Sequence, residues 1–210
     1  MIHTIIVSAG SGNRFGSDIP KQYLSIHNKT ILRYSVEIFS QIGDVSIVIN
    51  PNHRDLCMAA VDGLDVKEIV AGGDTRQESV FNGLKAIEKY APKKVLIHDA
   101  ARPFITLDVI GRVVDALDEH KAVIPMVHAT DTIKLVEDGF IKSTLDRTKT
   151  MLTQTPQGFI YSDIYQAHKD AVGKGNFTDD GGIAEFAGIP QYVVLGDSAN
   201  YKITTKEDMK

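Results

Sequence analysis

Short apolar runs and amphipathic stretches alternate along most of the chain. Residues 2–7 form an apolar run interrupted at Thr4, itself a good strand former, and read as a strand. Residues 30–39 have the period of a helix. Ile31, Leu32, Ser35, Val36, Phe39 and Ile42 share one face, Thr30 is placed to cap the N-terminus and Gly43 to end it. A second strand follows at 45–49. Pro51 then opens a turn or short helix in the first-turn position that proline favours, and 66–70 reads as a short third strand. The helix after residue 77 carries Val80, Leu84 and Ile87 on one face, and Asp74 and Gln77 before it are spaced as a capping box. Residues 94–99 predict a strand, 107–119 a helix and 122–127 another strand. This repeated order argues an α/β fold with a mostly parallel sheet and helices on both faces.

The pattern breaks after residue 127. Residues 130–136 form an extended run, Glu137-Asp138-Gly139 supplies a hairpin turn and Phe140 begins the return. Such a hairpin exposes Leu135, Val136 and Phe140, and two strands alone are marginal in water. A second copy of the chain is the expected cover, which makes the hairpin a dimerisation arm. The expected organisation is one domain over 1–210, with the arm at about 129–152 as an excursion. Beyond it come a helix at 162–171, a loop at 173–176, and Phe177-Thr178-Asp179-Asp180 opening a helix that stops at Gly188. Asp179 and Asp180 are favourable at a helix start on structural grounds alone. A strand at 192–195 and a short extended piece at 201–203 follow. Thr205 reads as an N-cap with almost no helix behind it, which predicts a shortened chain, a disordered tail or a domain cut from a longer polypeptide.

Composition narrows the picture. At 210 residues and 43% hydrophobic content the chain can bury a sizeable core. A net charge of −4 argues against a broad nucleic-acid surface, so any anion site must rest on local Arg and Lys. Cys57 is the single cysteine, which excludes an intrachain disulfide and a cysteine metal cluster. No apolar run is long enough for a bilayer span and Met1 leads into no signal-peptide pattern. The expected location is therefore cytoplasmic, with no membrane partner.

Candidate chemistry gathers where strands end. The first strand empties into Ser8-Ala9-Gly10-Ser11-Gly12-Asn13-Arg14-Phe15-Gly16, with Pro20-Lys21-Gln22 beyond. Small residues let backbone N–H groups approach anionic oxygens, and Arg14 and Lys21 add full positive charge. The Gly-Lys-Ser/Thr ending of a Walker A loop is absent, and Phe15 stands where a dinucleotide fingerprint needs its third glycine. A plain glycine-rich turn is the simpler reading of the glycines; the two cations favour anion binding. Gly72-Gly73-Asp74 is either a second close approach of backbone to ligand or a tight turn with a cap. Asp99 ends a strand, where ligands of open α/β sheets collect, and is a candidate ligand for a hard cation such as Mg²⁺. A capping role is its alternative. His98 reads as a packed or hydrogen-bonded histidine rather than a ligand.

Together these segments identify a resemblance. Ala9-Gly10-Ser11-Gly12-Asn13-Arg14, Pro20-Lys21-Gln22-Tyr23-Leu24, Gly72-Gly73-Asp74-Thr75-Arg76, His98-Asp99-Ala100-Ala101-Arg102-Pro103, Asp131-Thr132-Ile133-Lys134, Gln154-Thr155-Pro156-Gln157, Thr178-Asp179-Asp180 and Lys202-Ile203-Thr204 run in family order from end to end. The chain resembles the 2-C-methyl-D-erythritol 4-phosphate cytidylyltransferases of the non-mevalonate isoprenoid pathway. Residues 153–159 and 203–208 are similar to the version fused to a cyclodiphosphate synthase. The resemblance implies a Rossmann-like mixed sheet, a homodimer through the arm, CTP and a polyol phosphate as substrates, and Mg²⁺ or another divalent cation as cofactor. It also implies residue roles: Ala9, Gly10, Ser11 and Gly12 around the nucleotide phosphates and ribose, and Gly73, Asp74 and Ser79 around the base and ribose. Arg14 and Lys21 are implied at the reacting α-phosphate, Asp99 at the metal, and Arg102, Thr178 and Lys202 along the site. Thr132 and Arg147 would reach the sugar phosphate from the partner's arm.

Val7-Ser8 and Gly181-Gly182 depart from the family's commoner residues, and the glycine pair predicts a loosened helix start. Ribitol 5-phosphate is the nearest rival acceptor. The Gln154–Gln157 and Thr178–Asp180 details lean toward methylerythritol phosphate. A non-catalytic nucleotide-binding module and a dehydrogenase are the rivals from other classes. Retention of Arg14, Lys21 and Asp99 speaks against the first and Phe15 against the second.

Overall fold

The computed structural model describes residues 1–10, 15 and 19–209. The chain runs β1 (Ile2–Ser8), a two-strand ribbon of β2 (Ser25–Ile26) and β3 (Lys29–Thr30), α1 (Ile31–Phe39), β4 (Asp44–Ile49), α2 (Arg54–Ala60), β5 (Glu68–Ala71), α3 (Arg76–Ile87), β6 (Lys94–Asp99) and α4 (Leu107–Ala116). It continues through β7 (Ala122–His128), β8 (Lys134–Glu137), β9 (Phe140–Thr144), β10 (Met151–Thr153), β11 (Gln157–Ile160), α5 (Tyr161–Asp170), α6 (Asp180–Phe186) and β12 (Gln191–Leu195). β5, β4, β1 and β6 lie side by side and parallel. β11 runs antiparallel between β6 and β7, β10 pairs further along β7, and β12 lies parallel on the other edge of β7. The result is the expected α/β fold of Rossmann type, a mixed and mostly parallel sheet.

The period-two alternation of the strands divides the core. Ile6, Ile47, Leu96 and Val123 face α1, α2 and α4, meeting Leu32, Val36, Phe39, Cys57, Ile110 and Val113. Their neighbours Ile5, Val48, Val95, Ile97 and Ile124 face α3, α5 and α6, meeting Val80, Leu84, Ile164 and Ile183. Buried on both faces, these strands read as near-continuous apolar runs. Gly111 sits inside α4, where an added Cβ would meet nothing within 4 Å. Gly111→Ala should raise stability by about 0.5–1 kcal/mol through helix propensity. A higher urea midpoint at unchanged slope is the expected result.

His3 is fully buried on β1 with Nε2 2.8 Å from Ser46 Oγ. Burial lowers its pKa to about 4, against the opposing pull of Asp44 and Glu68. A folded pKa below the unfolded value of 6.5 stabilises the fold fully above pH 6.5, and that contribution is lost as pH falls from 6.5 toward 4. At pH 5 the loss is roughly 2 kcal/mol. Urea unfolding of the wild type and His3→Gln across pH 7.5 to 4.5 should show a shallower acid decline in the variant.

Several local predictions shift. The capping box is formed by Thr75 and Glu78, one residue beyond the Asp74–Gln77 pairing, and the Asp74 N–H instead donates to Glu78 Oε2 at 2.8 Å. The third strand sits at Glu68–Ala71 rather than 66–70. The β2–β3 ribbon turns on His27 and Asn28 at positive φ, a local signal with no apolar alternation around it. β11 is hidden in sequence because it reads Gln157-Gly158. A Cβ on Gly158 would fall 2.6 Å from Val113, so the glycine lets α4 close on the sheet. The glycine pair at 181–182 does not leave its helix start loose. Gln157 Oε1 accepts from the Asp180 and Gly181 N–H groups, and Asp179 Oδ1 accepts from Gly182 N–H.

β8 and β9 form their own two-stranded sheet, closed by Asp138 and Gly139, both at positive φ as a two-residue hairpin turn requires. Phe140 is 73% exposed, and Leu135, Val136 and Ile141 are exposed beside it.

Candidate active site

The parallel strands deliver their carboxyl ends to one place. β1 continues into Ala9 and Gly10, β4 into Asn50, and β6 ends at Asp99, in register with Val7 of β1. A cavity of about 700 Å³ opens there, lined by Ala9, Gly10, Lys21, Gly73, Asp74, Ser79, Asp99 and Lys202 among others. An adjoining cavity of about 260 Å³ is lined by Arg102, Thr178, Gln157 and the arm root at Thr153–Thr155. Arg76, Asp99 and Lys202 line both, as the wall between them.

Each side chain has a local reason for its place. Lys21 opens a short 3-10 turn, Lys21–Tyr23, and its Nζ donates to Ile203 O at 2.6 Å. Gln22 is buried and its amide donates to Ser8 O at 2.9 Å and Gly10 O at 3.2 Å, tying that turn to the end of β1. The Gly72-Gly73 turn is a true close approach. A Cβ on Gly72 would lie 2.7 Å from Ala9 Cβ, and one on Gly73 would lie 2.5 Å from Glu78 Cβ. Ser79 Oγ accepts from Gly73 N–H at 3.1 Å, so it shapes this turn from beneath.

Asp99 sits between two cations. Lys202 Nζ donates to its Oδ2 at 2.6 Å, and Arg76 Nη2 stands 3.4 Å from Oδ1. Burial alone would raise the carboxyl's pKa, but Arg76 and Lys202 outweigh it and hold it well below the usual carboxylate range. The Asp99 N–H donates to Thr155 Oγ1 at 3.1 Å. His98 is packed as expected. Nε2 faces Arg102 O at 3.2 Å and Nδ1 faces Thr155 Oγ1 at 3.1 Å. A carbonyl only accepts, so Nε2 carries the proton and the threonine hydroxyl donates to Nδ1. Burial lowers the His98 pKa to about 4, and the ring stays neutral.

The sequence-predicted residues separate into groups. Ala9, Gly10, Lys21, Gly73, Asp74, Ser79, Asp99, Arg102, Thr178 and Lys202 line one cavity or both. Arg14, Ser11 and Gly12 lie outside the described residues. Thr132 and Arg147 line neither cavity of their own chain, and Arg147 Nη1 donates to Thr130 O at 3.2 Å within the arm. Arg102 gives donors to Asn200 O at 2.7 Å and Thr153 O at 3.3 Å, bracing the arm root against the segment that carries Lys202. Sequence reasoning assigned no role to Arg76, Gln22 or Gln157, although all three stand inside the quoted motifs.

Among the described residues no three His, Cys, Asp or Glu side chains cluster as a metal site. A Mg²⁺ ion usually needs only one or two carboxylates when substrate phosphates complete its shell. Asp99, an ionised oxygen donor at the cavity wall, fits that requirement.

A mixed Rossmann-type sheet, a glycine turn pressed against the strand ends and a wall of alternating charge give the layout of an α/β site for a phosphate-bearing ligand. The chain belongs to the 2-C-methyl-D-erythritol 4-phosphate cytidylyltransferase (IspD) family, whose sequence profile matches residues 2–210. It is 45% identical over 209 residues to a bifunctional IspD/IspF enzyme of Paramagnetospirillum magneticum, covering 98% of this chain and 54% of that protein. A Bradyrhizobium diazoefficiens bifunctional enzyme is 44% identical over 210 residues, at 97% and 53% coverage. The chain thus spans about half the length of these curated relatives. Among solved structures, the 4-diphosphocytidyl-2C-methyl-D-erythritol synthase of Anaerococcus prevotii superposes with a TM-score of 0.87 at 29% identity, covering 99% of this chain and 92% of that one. The 2-C-methyl-D-erythritol 4-phosphate cytidylyltransferase of Thermus thermophilus gives 0.83 at 28% identity, covering 98% and 94%.

Proposed function

We propose that this chain transfers a cytidylyl group from CTP to 2-C-methyl-D-erythritol 4-phosphate, releasing pyrophosphate and forming 4-diphosphocytidyl-2-C-methyl-D-erythritol. One observation carries the reading beyond family membership: two adjoining cavities at the strand ends share a wall of Arg76, Asp99 and Lys202. A nucleotide-sized space beside a smaller anion-sized space is what a two-substrate phosphoryl reaction needs.

In this reading the sugar phosphate attacks the α-phosphorus of CTP in line and pyrophosphate leaves. The nucleophile is already an anion, so no strong general base is required. The difficulty is bringing two anions together while charge builds on the equatorial and leaving oxygens, which fixed positive charge and positioning relieve. Ala9 to Gly12 and the Gly73 turn wrap the nucleotide, with Asp74 and Ser79 at its base and ribose. Lys21 and Arg14 hold the α-phosphate, Lys21 as a compact charge and Arg14 as a planar fork. Arg102, Thr178 and Lys202 receive the acceptor. Asp99 would hold a divalent cation, which supplies charge neutralisation on the triphosphate when bound. Lys202, whose Nζ donates to Asp99 Oδ2, lines both cavities and would offer its charge to a phosphate oxygen there. The exposed apolar residues of β8 and β9 support a homodimer in which the partner's arm brings Thr132 and Arg147 to the acceptor. We place the enzyme in the cytoplasm; no helix among the described residues is long and apolar enough to cross a membrane.

Pyrophosphate release from CTP and Mg²⁺, assayed with methylerythritol phosphate and then with ribitol 5-phosphate, tests the reading. Release with the first acceptor is expected. Release with ribitol 5-phosphate alone overturns the acceptor, and release with neither overturns the reaction.

A further inference from the structure

The wall between the two cavities has a buried support that the reaction scheme does not use. Asp180, at the first position of α6, is fully buried. Arg76 Nη2 forms an ion pair with its Oδ2 at 2.8 Å, closer than the 3.4 Å from the same nitrogen to Asp99. His168 Nε2 lies 3.0 Å from Asp180 Oδ1, is itself fully buried, and stacks on Phe81 of α3 at a centroid distance of 6.2 Å. The backbone N–H of Asp180 is fixed by Gln157 Oε1 at 3.1 Å. The carboxylate is therefore held from α3 and α5 while β11 fixes its backbone, and the guanidinium paired with it is the one that reaches the cavities.

We infer that Asp180, with His168 behind it, is a positioning residue that fixes Arg76 as the partition between the nucleotide and acceptor cavities. A carboxylate with no contact to water, paired to an arginine one-quarter exposed, is a poor device for stability alone. Its geometric consequence is specific. Asp180 draws Nη2 toward the buried side, so Asp99 keeps its short contact to Lys202 on Oδ2 and two longer ones on Oδ1, from Arg76 Nε and Nη2 at 3.4 Å each. Without Asp180 the fork is free to close on both oxygens of Asp99, displacing Lys202, or to follow a phosphate into either cavity. The acceptor must cross this partition in line with the α-phosphorus, so the partition's position governs the line of attack rather than the affinity of either substrate.

This inference rests on the nucleotidyl-transfer reading. Wild-type turnover tests that reading, and the variants test the inference. Asp180→Asn keeps the volume and removes the charge. Its kcat should fall toward 10²-fold, the scale of a misplaced group of about 1 Å, with smaller changes in the KM of CTP and acceptor. Arg76→Lys keeps the charge and removes the fork, and should give a similar loss. The double variant should be no slower than the slower single one, because the two side chains act as a unit. Losses that multiply, or an Asp180→Asn enzyme that melts lower but turns over normally per folded molecule, overturn the role. The His168 pair repeats the test with the carboxylate in place, should Asp180→Asn fail to fold. His168→Gln keeps a donor toward Oδ1 and should retain kcat, while His168→Phe should lose it. Equal kcat in those two variants also overturns the inference.

Discussion

Lys21→Ala lowers kcat about 10²-fold or more and leaves the fold intact. The size follows from the loss of one preorganised charge donor at a phosphoryl centre. The ammonium is fixed rather than merely nearby. It belongs to a single 3-10 turn whose next residue, Gln22, is bonded to the carbonyls of Ser8 and Gly10, and whose third, Tyr23, is buried against the main core. Any motion of the β1 loop therefore carries Lys21 with it. The fold survives because the side chain is only half-buried and lines a cavity rather than the apolar core. Lys21→Arg should not restore activity fully, since a planar fork cannot replace a compact charge on one oxygen. Steady-state rates with circular dichroism on the same samples test this, and near-wild-type turnover removes Lys21 from the chemical step. A fall in kcat larger than the rise in the KM for CTP marks an interaction made chiefly in the transition state.

The sequence made the frame legible because the frame obeys periodicity. β1, β4, β6 and β7 are apolar runs closed by polar turns, and Thr30 caps α1 through Arg33 N–H where the pattern placed it. Periodicity is silent where a glycine or an amide takes a core position. β11 begins with Gln157, a fully buried polar residue that earns its burial through bonds to Asp179, Asp180 and Gly181. No hydropathy rule finds such a strand. The cavity lining was legible where charge followed a strand, at Lys21 and Asp99, and through the family resemblance at Lys202, and illegible where its logic spans distant segments. Arg76 gains its meaning from Asp99 and Asp180, 23 and 104 positions further along the sequence. Asp180 was read as a helix-start residue favoured by local electrostatics. The structure adds a buried ion pair and a histidine, neither of which local spacing encodes.

Asp99→Asn should lower turnover more than any other single change, by roughly 10³-fold, since one carboxylate serves two roles at the shared wall. Asp99 and Asp180 balance Arg76 and Lys202, two anions against two cations. The isosteric amide keeps the backbone bond to Thr155 but leaves the set with one uncompensated positive charge. Lys202 is 39% exposed and can turn to water, so the stability cost falls well short of the several kcal/mol of a fully buried broken pair and should be about 1–2 kcal/mol at neutral pH. That cost has a definite pH sign. The folded Asp99 carboxyl titrates below its unfolded range, so its contribution is present above about pH 4 and is lost as pH falls further. The stability gap between wild type and Asp99→Asn should therefore narrow below pH 4. The rate and the gap separate the two roles. A 10³-fold loss with the narrowing gap fits a charge that both organises the wall and serves the triphosphate. A stability gap with turnover near wild type would leave Asp99 a purely structural counter-ion to Arg76 and Lys202.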